Sequence, residues 1–293
     1  MSLDLDAAIS FVTTHARVLE RRRLRHLLGQ GSAGEVLFAL DAHRNPDGGY
    51  GWALEPDLRS ASSQPVAAMH ALEVLGEVRD TSDRTVELCD WLAAHSLADG
   101  GIPFALPYAD TEGSAPHWVN ADPKTSSLQM ATQLAAQAHR LARHRKDVAE
   151  HPWPRAVTDY CLNGIEQMSA TPAAHEVMFG MHFLDTVAPA SPRARSLLDK
   201  FVSHVRVDGP TPVAGGADGE VLHPLDFTPE ADAPSRELFD KDAIAADLDR
   251  LAAQQRPDGG WDVSFTAFSP AAALEWRGYA TVQAVKVLRD NSR

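Results

Sequence analysis

Acidic and aromatic side chains recur behind a repeated three-residue mark. Asp47-Gly48-Gly49 is followed by Glu55, Asp57, Arg59 and Gln64, and Asp99-Gly100-Gly101 by His117, Trp118, Asn120, Asp122 and Lys124. Asp258-Gly259-Gly260 is followed by Asp262, Glu275, Trp276, Arg277 and Tyr279, while His175 with Glu176 and His223 with Asp226 stand in the intervening slots. Carboxylates gathered in a partly apolar cavity have their pKa values pushed apart, so that one stays protonated as a general acid while another stays charged. Such an acid can protonate an alkene or epoxide, and Trp118, Trp261, Trp276 and Tyr279 can face the resulting carbocation through their π-systems. The same set permits a second chemistry, in which carboxylates with Arg59, Lys124 and Arg277 hold a diphosphate directly or through Mg²⁺. Each residue also has a plainer reading. Glu55 and Asp57 can cap the following turn and pair with Arg59, Trp52 and Trp261 can pack adjacent helices, and His70, inside an apolar run, reads as a core histidine ahead of a cavity-facing base.

These residues need elements to position them, and the mark itself defines the elements. The first two copies lie 52 residues apart and the second and third 159, which is three times 53. A degenerate copy, Asp208-Gly209, falls 50 residues before the last, and one position near Asn163-Gly164 has lost the mark. A unit of about 50 to 54 residues, repeated five to six times, therefore fills the chain. Each unit reads as a helix, the Asp-Gly-Gly turn, a polar loop, and a Ser/Thr-rich start opening an alanine-rich helix. The clearest is the helix from Leu128 to Arg143, where Leu128, Ala131, Leu134, Ala135, Ala138, Leu141 and Ala142 form one apolar stripe behind Thr125-Ser126-Ser127. Repeated helical hairpins stack into a solenoid or close into a ring, and closure leaves no end unit to cap. The expected fold is all-α, an (α/α)5–6 toroid spanning residues 1–293 as a single domain. Phe201 to Val207 and Val263 to Phe268 are the only segments that read as short strands. The stretch from Thr211 to Pro234 reads as a long loop and, carrying His223, Pro224 and Asp226, as a candidate lid.

Composition excludes several classes. With 44% hydrophobic and 23% charged residues, 19 Gly and 19 Pro among 293, the chain is neither collagenous nor wholly disordered. A net charge of −13 opposes general affinity for nucleic acid or anionic membrane, leaving room only for a local basic patch. Cys89 and Cys161, with no CxxC pair, support neither a disulfide framework nor a thiolate zinc knuckle. Asp4 and Asp6 interrupt the place of a signal peptide, and no apolar run is long enough to span a bilayer, so a cytoplasmic setting is expected. Gly29-Gln30-Gly31-Ser32-Ala33-Gly34 matches a dinucleotide fingerprint literally, but it follows Arg21-Arg22-Arg23-Leu24-Arg25 rather than an apolar strand. That arginine run reads as a solvated helix face.

The segment Gln254-Gln255-Arg256-Pro257-Asp258-Gly259-Gly260-Trp261 resembles the QW-type motif of the prenyltransferase and squalene-oxidase repeat family, and His43-Arg44-Asn45-Pro46-Asp47-Gly48-Gly49-Tyr50-Gly51-Trp52 resembles another copy. That family includes terpenoid cyclases and protein prenyltransferase β subunits. The resemblance implies the α/α toroid, with the loop and helix-start positions rimming a central cavity. It does not extend to the family's signature chemistry. No Asp-x-Asp-Asp acid run is present, since Asp4-Leu5-Asp6, Asp240-Lys241-Asp242 and Asp247-Leu248-Asp249 all stop short of it. Asp159-Tyr160-Cys161 with His175 or His182 copies the prenyltransferase zinc set only superficially, so zinc is not expected. Within these limits the chain reads as a small single-toroid enzyme that acts on an isoprenoid or similar apolar small molecule, by acid-initiated cyclisation or prenyl transfer. Glu55, Asp57, Asp122 and Asp226 are the expected acids. Arg59, Gln64, His117, Trp118, His223, Trp276 and Arg277 are the expected substrate contacts, and Mg²⁺ is called for only by a diphosphate substrate. Two other readings stay open: an (α/α) carbohydrate hydrolase or lyase, in which two carboxylates and a stacking Trp do the chemistry, and a non-catalytic binding scaffold.

Overall fold

A computed structural model describes residues 3–214 and 220–291. In chain order the helices are α1 (Leu5–His15), α2 (Val18–Leu27), α3 (Ala33–Leu40), α4 (Pro65–Glu77), α5 (Arg84–His95), α6 (Pro116–Val119) and α7 (Leu128–Ala142). They continue as α8 (Lys146–Glu150), α9 (Pro152–Glu166), α10 (Ala174–Val187), α11 (Pro192–Phe201), α12 (Pro224–Phe227), α13 (Lys241–Ala253) and α14 (Pro270–Asp290). The one strand pair among the described residues is β1 (Thr211–Pro212) against β2 (Val221–Leu222), antiparallel, with Thr211 opposite Leu222. The chain divides into two compact units, one of residues 1–30 with 169–293 and the other of residues 31–168.

In the second unit the helix starts follow the residues ahead of them. Ser32 and Glu35 form a capping box on α3, Pro65 occupies the first turn of α4, and the Ser127 hydroxyl accepts from the Met130 amide to start α7. α4 buries all of Val66, Ala67, Ala68, Ala71, Leu72, Val74 and Leu75 and packs on the alanine-rich α7. α7 in turn packs on α9, and α9 on α5. Asn163-Gly164, expected near a lost turn, lies inside α9. A Cβ at Gly164 would come 2.8 Å from the Leu128 side chain, so this glycine serves helix packing and not a turn.

The Asp-Gly-Gly marks share one construction. Gly48, Gly100 and Gly259 are left-handed (φ +87°, +85° and +93°), and in each copy the aspartate Oδ1 accepts from the second glycine's amide at 2.9, 3.0 and 3.1 Å. Each turn then rests on a neighbouring helix. The first lies on α5 at the Glu87 carbonyl, the second on α9 at the Ala156 carbonyl, and the third on α1 at the Ala7 carbonyl. The N-terminal helix therefore does for the last repeat what α5 and α9 do for the first two. Gln255 fastens it, donating from Nε2 to the Asp4 carbonyl (2.8 Å) and accepting from the Asp4 amide (2.9 Å). Asp208-Gly209 is no working copy, because Gly209 has ordinary φ and a Cβ there would meet nothing within 4 Å.

Both expected strands are absent. Phe201 ends α11 and Val202–His204 form a 3-10 turn, while residues 263–268 are bends ahead of the Ser269 cap of α14. β-branched composition is only a weak preference, and here neither segment has a partner to pair with. The 211–234 stretch, expected as one long loop, instead contains β1, β2 and α12; its residues 215–219 lie outside the described residues.

Candidate functional site

In the unit of residues 31–168, the loop after the first turn carries Glu55 and Asp57, both buried at 4% and 5% exposure. Trp52 and Ala53, consecutive non-glycine residues at φ +52° and +55°, turn the chain there, held by the Trp52 amide donating to the Ser60 carbonyl (2.8 Å). Glu55 Oε2 lies 3.0 Å from His70 Nε2, and His70 Nδ1 lies 3.6 Å from Glu73 Oε2. His70 and Glu73 are one turn apart on α4, so both reach the same side of the helix. Burial opposes charge on His70, but hydrogen bonds to Glu55 and then Glu73 outweigh it and raise its pKa above the usual histidine value. His70 thus sits between two carboxyl groups that favour its protonated form. Glu55 Oε1 also accepts from the Asp57 amide (3.1 Å), and the Asp57 carbonyl accepts from Ala115 (2.8 Å), which ties this loop to the start of α6.

The other expected residues of this unit have structural partners. Gln64, fully buried, accepts from the Leu106 amide (2.9 Å) and donates to its carbonyl (3.2 Å), so its amide pins the second loop. The Arg59 amide donates to Ser114 Oγ (3.3 Å), and its side-chain stem lies beneath Gly113. Asp122 is exposed and accepts from Thr125 Oγ1 (2.6 Å) and the Lys124 amide (3.0 Å), the Thr125 bond first holding its carboxyl below the usual range. A carboxylate held ionised in an exposed turn is badly suited to donate a proton. His117 is exposed, whereas Trp118 is buried and stacked on Phe104 at 4.5 Å with 10° between planes. The Trp118 indole N–H is buried without a protein acceptor.

In the unit of residues 1–30 and 169–293, His223 caps the single turn of α12 and Asp226 lies within it. Asp226 Oδ2 accepts from the His223 amide (2.7 Å), and His182 Nε2 on α10 donates to the Asp226 carbonyl (2.8 Å). Burial first raises the Asp226 pKa, against the His223 amide and Arg250, so this carboxyl keeps its proton to higher pH than an ordinary aspartate. His223 is shifted the other way, down, by burial and then by Arg250, although its Nδ1 lies 3.5 Å from Asp247. Asp247 is itself buried, accepting from the Leu225 amide (2.8 Å) and pairing with Arg250. Trp276 meets Phe265 and Tyr279 edge-on at 5.2 and 5.5 Å, and Arg23 lies 5.3 Å over the Tyr279 ring. Arg277 serves the turn and the helix beside it: it donates to both oxygens of Asp258 (2.8 and 2.9 Å) and lies 4.5 Å over the Phe11 ring.

Sequence reading passed over Glu73, Asp247 and His182. The i,i+3 spacing of His70 and Glu73 was a usable signal for the first. Asp247 was weighed only as part of an incomplete Asp-x-Asp-Asp run, and His182 only as one candidate for an incomplete zinc set.

No known family's sequence profile and no curated protein matches this chain. Solved structures do. Over 98% of this chain and 96% of the other, the fold is similar to a variant of the type II terpene cyclase MstE from Scytonema in complex with its substrate geranylgeranyl dihydroxybenzoate, at TM-score 0.57 and 14% identity. The apo form of MstE matches at TM-score 0.55 and 14% identity, covering 98% of both chains. A protein from Actinoplanes matches at 0.55 and 14%, covering 98% of this chain and 89% of that one. The chain thus has the all-α fold of the type II terpene cyclases, the fold class to which the repeat pointed.

Proposed function

We propose that this protein is an acid-initiated cyclase of a small-molecule isoprenoid. The carrying observation is the likeness of nearly the whole chain to a type II terpene cyclase that binds a prenylated substrate, and the buried carboxyls supply the chemistry. Asp226 is assigned as proton donor, because its desolvated carboxyl stays neutral to higher pH than an exposed one. Its O–H proton passes to a terminal C=C of the prenyl chain, leaving a tertiary carbocation. The next C=C attacks that cation and forms the ring C–C bond, and a proton lost from the final cation ends the sequence, so product and substrate are isomers. Trp276 is the aromatic ring to test as the partner of such a cation. Asp57, buried in the loop after the first turn, is the second carboxyl to test as donor.

Purified protein incubated with geranylgeranyl dihydroxybenzoate and with simpler geranylgeranyl compounds is expected to yield a product of unchanged mass and shifted retention. Asp226→Asn is expected to lower turnover roughly 10²- to 10⁴-fold, the usual worth of a general acid, without lowering the melting temperature. Full activity in Asp226→Asn together with loss in Asp57→Asn would move the donor to Asp57. Absence of any isomer from every prenylated substrate would overturn the reading.

A further inference from the structure

The arginine run of α2 resolves into two sets. Arg17 pairs with buried Glu20 (2.7 Å) and Arg23 lies over Tyr279, so both serve the fold. Arg21, Arg22 and Arg25 instead stand with Val18 at i, i+3, i+4 and i+7 on one side of α2, and with Thr13 of α1 they line a hollow of about 330 Å³. Arg21 and Arg25 are exposed, and among the described residues neither has a carboxylate within ion-pair distance, in a chain where acids outnumber bases 40 to 27. Like charges at i,i+4 repel, so this face carries a small cost that ordinary acidic neighbours would have removed.

Two of the guanidinium groups are also held in place. Arg21 Nε donates to the Ala16 carbonyl (2.8 Å), and Arg25 Nη2 donates to the Gln30 carbonyl (3.1 Å). An arginine carries five N–H donors, so each anchored side chain retains several, aimed in a fixed direction. Part of the ordering cost of binding is thereby met in advance. We infer that this hollow binds a phosphate-type dianion on a soluble small molecule, held in fork-like fashion by Arg21 and Arg25. A membrane surface fits less well: the site is concave, and Val18 is the only exposed large apolar side chain on α1 and α2 among the described residues, where an interfacial helix would present a broad apolar face. The inference is independent of the acid chemistry assigned to Asp226.

Titration calorimetry of the full-length protein with inorganic pyrophosphate, in EDTA and at low salt, tests it. One site is expected, weakening as salt rises. Arg21→Gln/Arg25→Gln should bind about tenfold or more weakly, with an unchanged circular dichroism spectrum. Arg21→Lys/Arg25→Lys should fall between, because an ammonium keeps the charge and loses the fork; it also serves should the glutamine variant misfold. Equal affinity in wild type and both variants would overturn the site, as would binding to phosphatidylglycerol vesicles with no binding of pyrophosphate.

Discussion

His70, buried, and His139, half-buried, have opposite electrostatics, and the difference gives the protein a pH signature. His70, between Glu55 and Glu73, has its pKa raised in the folded state. Its contribution is complete below the unfolded value of about 6.5 and is lost as pH rises through the folded value. His139, desolvated and near Arg143, is pushed down to about 4, with Nε2 2.6 Å from Thr158 Oγ1. Its neutral form favours folding above about 6.5, and that contribution is lost as pH falls toward 4. Melting temperature against pH is therefore expected to peak near the ordinary histidine pKa. His70→Gln should flatten the alkaline limb, and His139→Gln the acid limb. An unchanged alkaline limb in His70→Gln would contradict the raised His70 pKa. Asp226 carries a third signature: its raised pKa means that the charged form is disfavoured by folding, so stability falls as pH rises from about 3.9 through the folded value. Asp226→Asn removes that penalty and should be at least as stable as wild type at neutral pH, its amide oxygen still accepting from His223.

At the scale of elements, the turns are the parts that can be tested one by one. In Gly259→Ala a Cβ would fall on the Ala7 backbone of α1, at a φ of +93° that disfavours any side chain. A loss of at least 1 to 3 kcal/mol is expected, roughly the cost of forced overpacking. Gly209→Ala meets nothing and should stay within about 0.5 kcal/mol of wild type. Equal effects in the two variants would mean that the degenerate mark is a working turn after all. On α4, Leu72 is fully buried, and Leu72→Ala should cost about 2 to 5 kcal/mol in chemical denaturation. The alanine-rich helices and their serine caps were legible because both signals are local: α7 runs from Leu128 to Ala142, one residue short of the expected Arg143. The role of α1 was not legible. It depends on a contact between Gln255 and Asp4, 251 positions apart, and no period within the chain announces a hairpin whose two halves lie at opposite ends of the sequence. Short strands failed for a related reason, since pairing is decided by a partner and not by the segment itself.

For the molecule as a whole, the period of the Asp-Gly-Gly marks pointed to an all-α fold, and the likeness to type II terpene cyclases at 14% identity agrees over 98% of the chain. The candidate site was legible only in part. Glu55 and Asp57 are buried, whereas Gln64, Asp122 and Arg277 have partners that hold loops and turns. A polar residue at a recurrent slot looks the same in sequence whether it faces a ligand or braces the backbone. The net charge of −13 is likewise uneven, since α2 presents an arginine face amid the acidity. A single labelling experiment tests whether a protein carboxyl starts the reaction by protonating carbon. Cyclisation of a geranylgeranyl substrate in D₂O should give a product one mass unit heavier than that formed in H₂O, with the deuterium on the carbon that was the terminal alkene, and Asp226→Asn should abolish it. A cyclised product formed in D₂O without deuterium at that carbon would contradict the account.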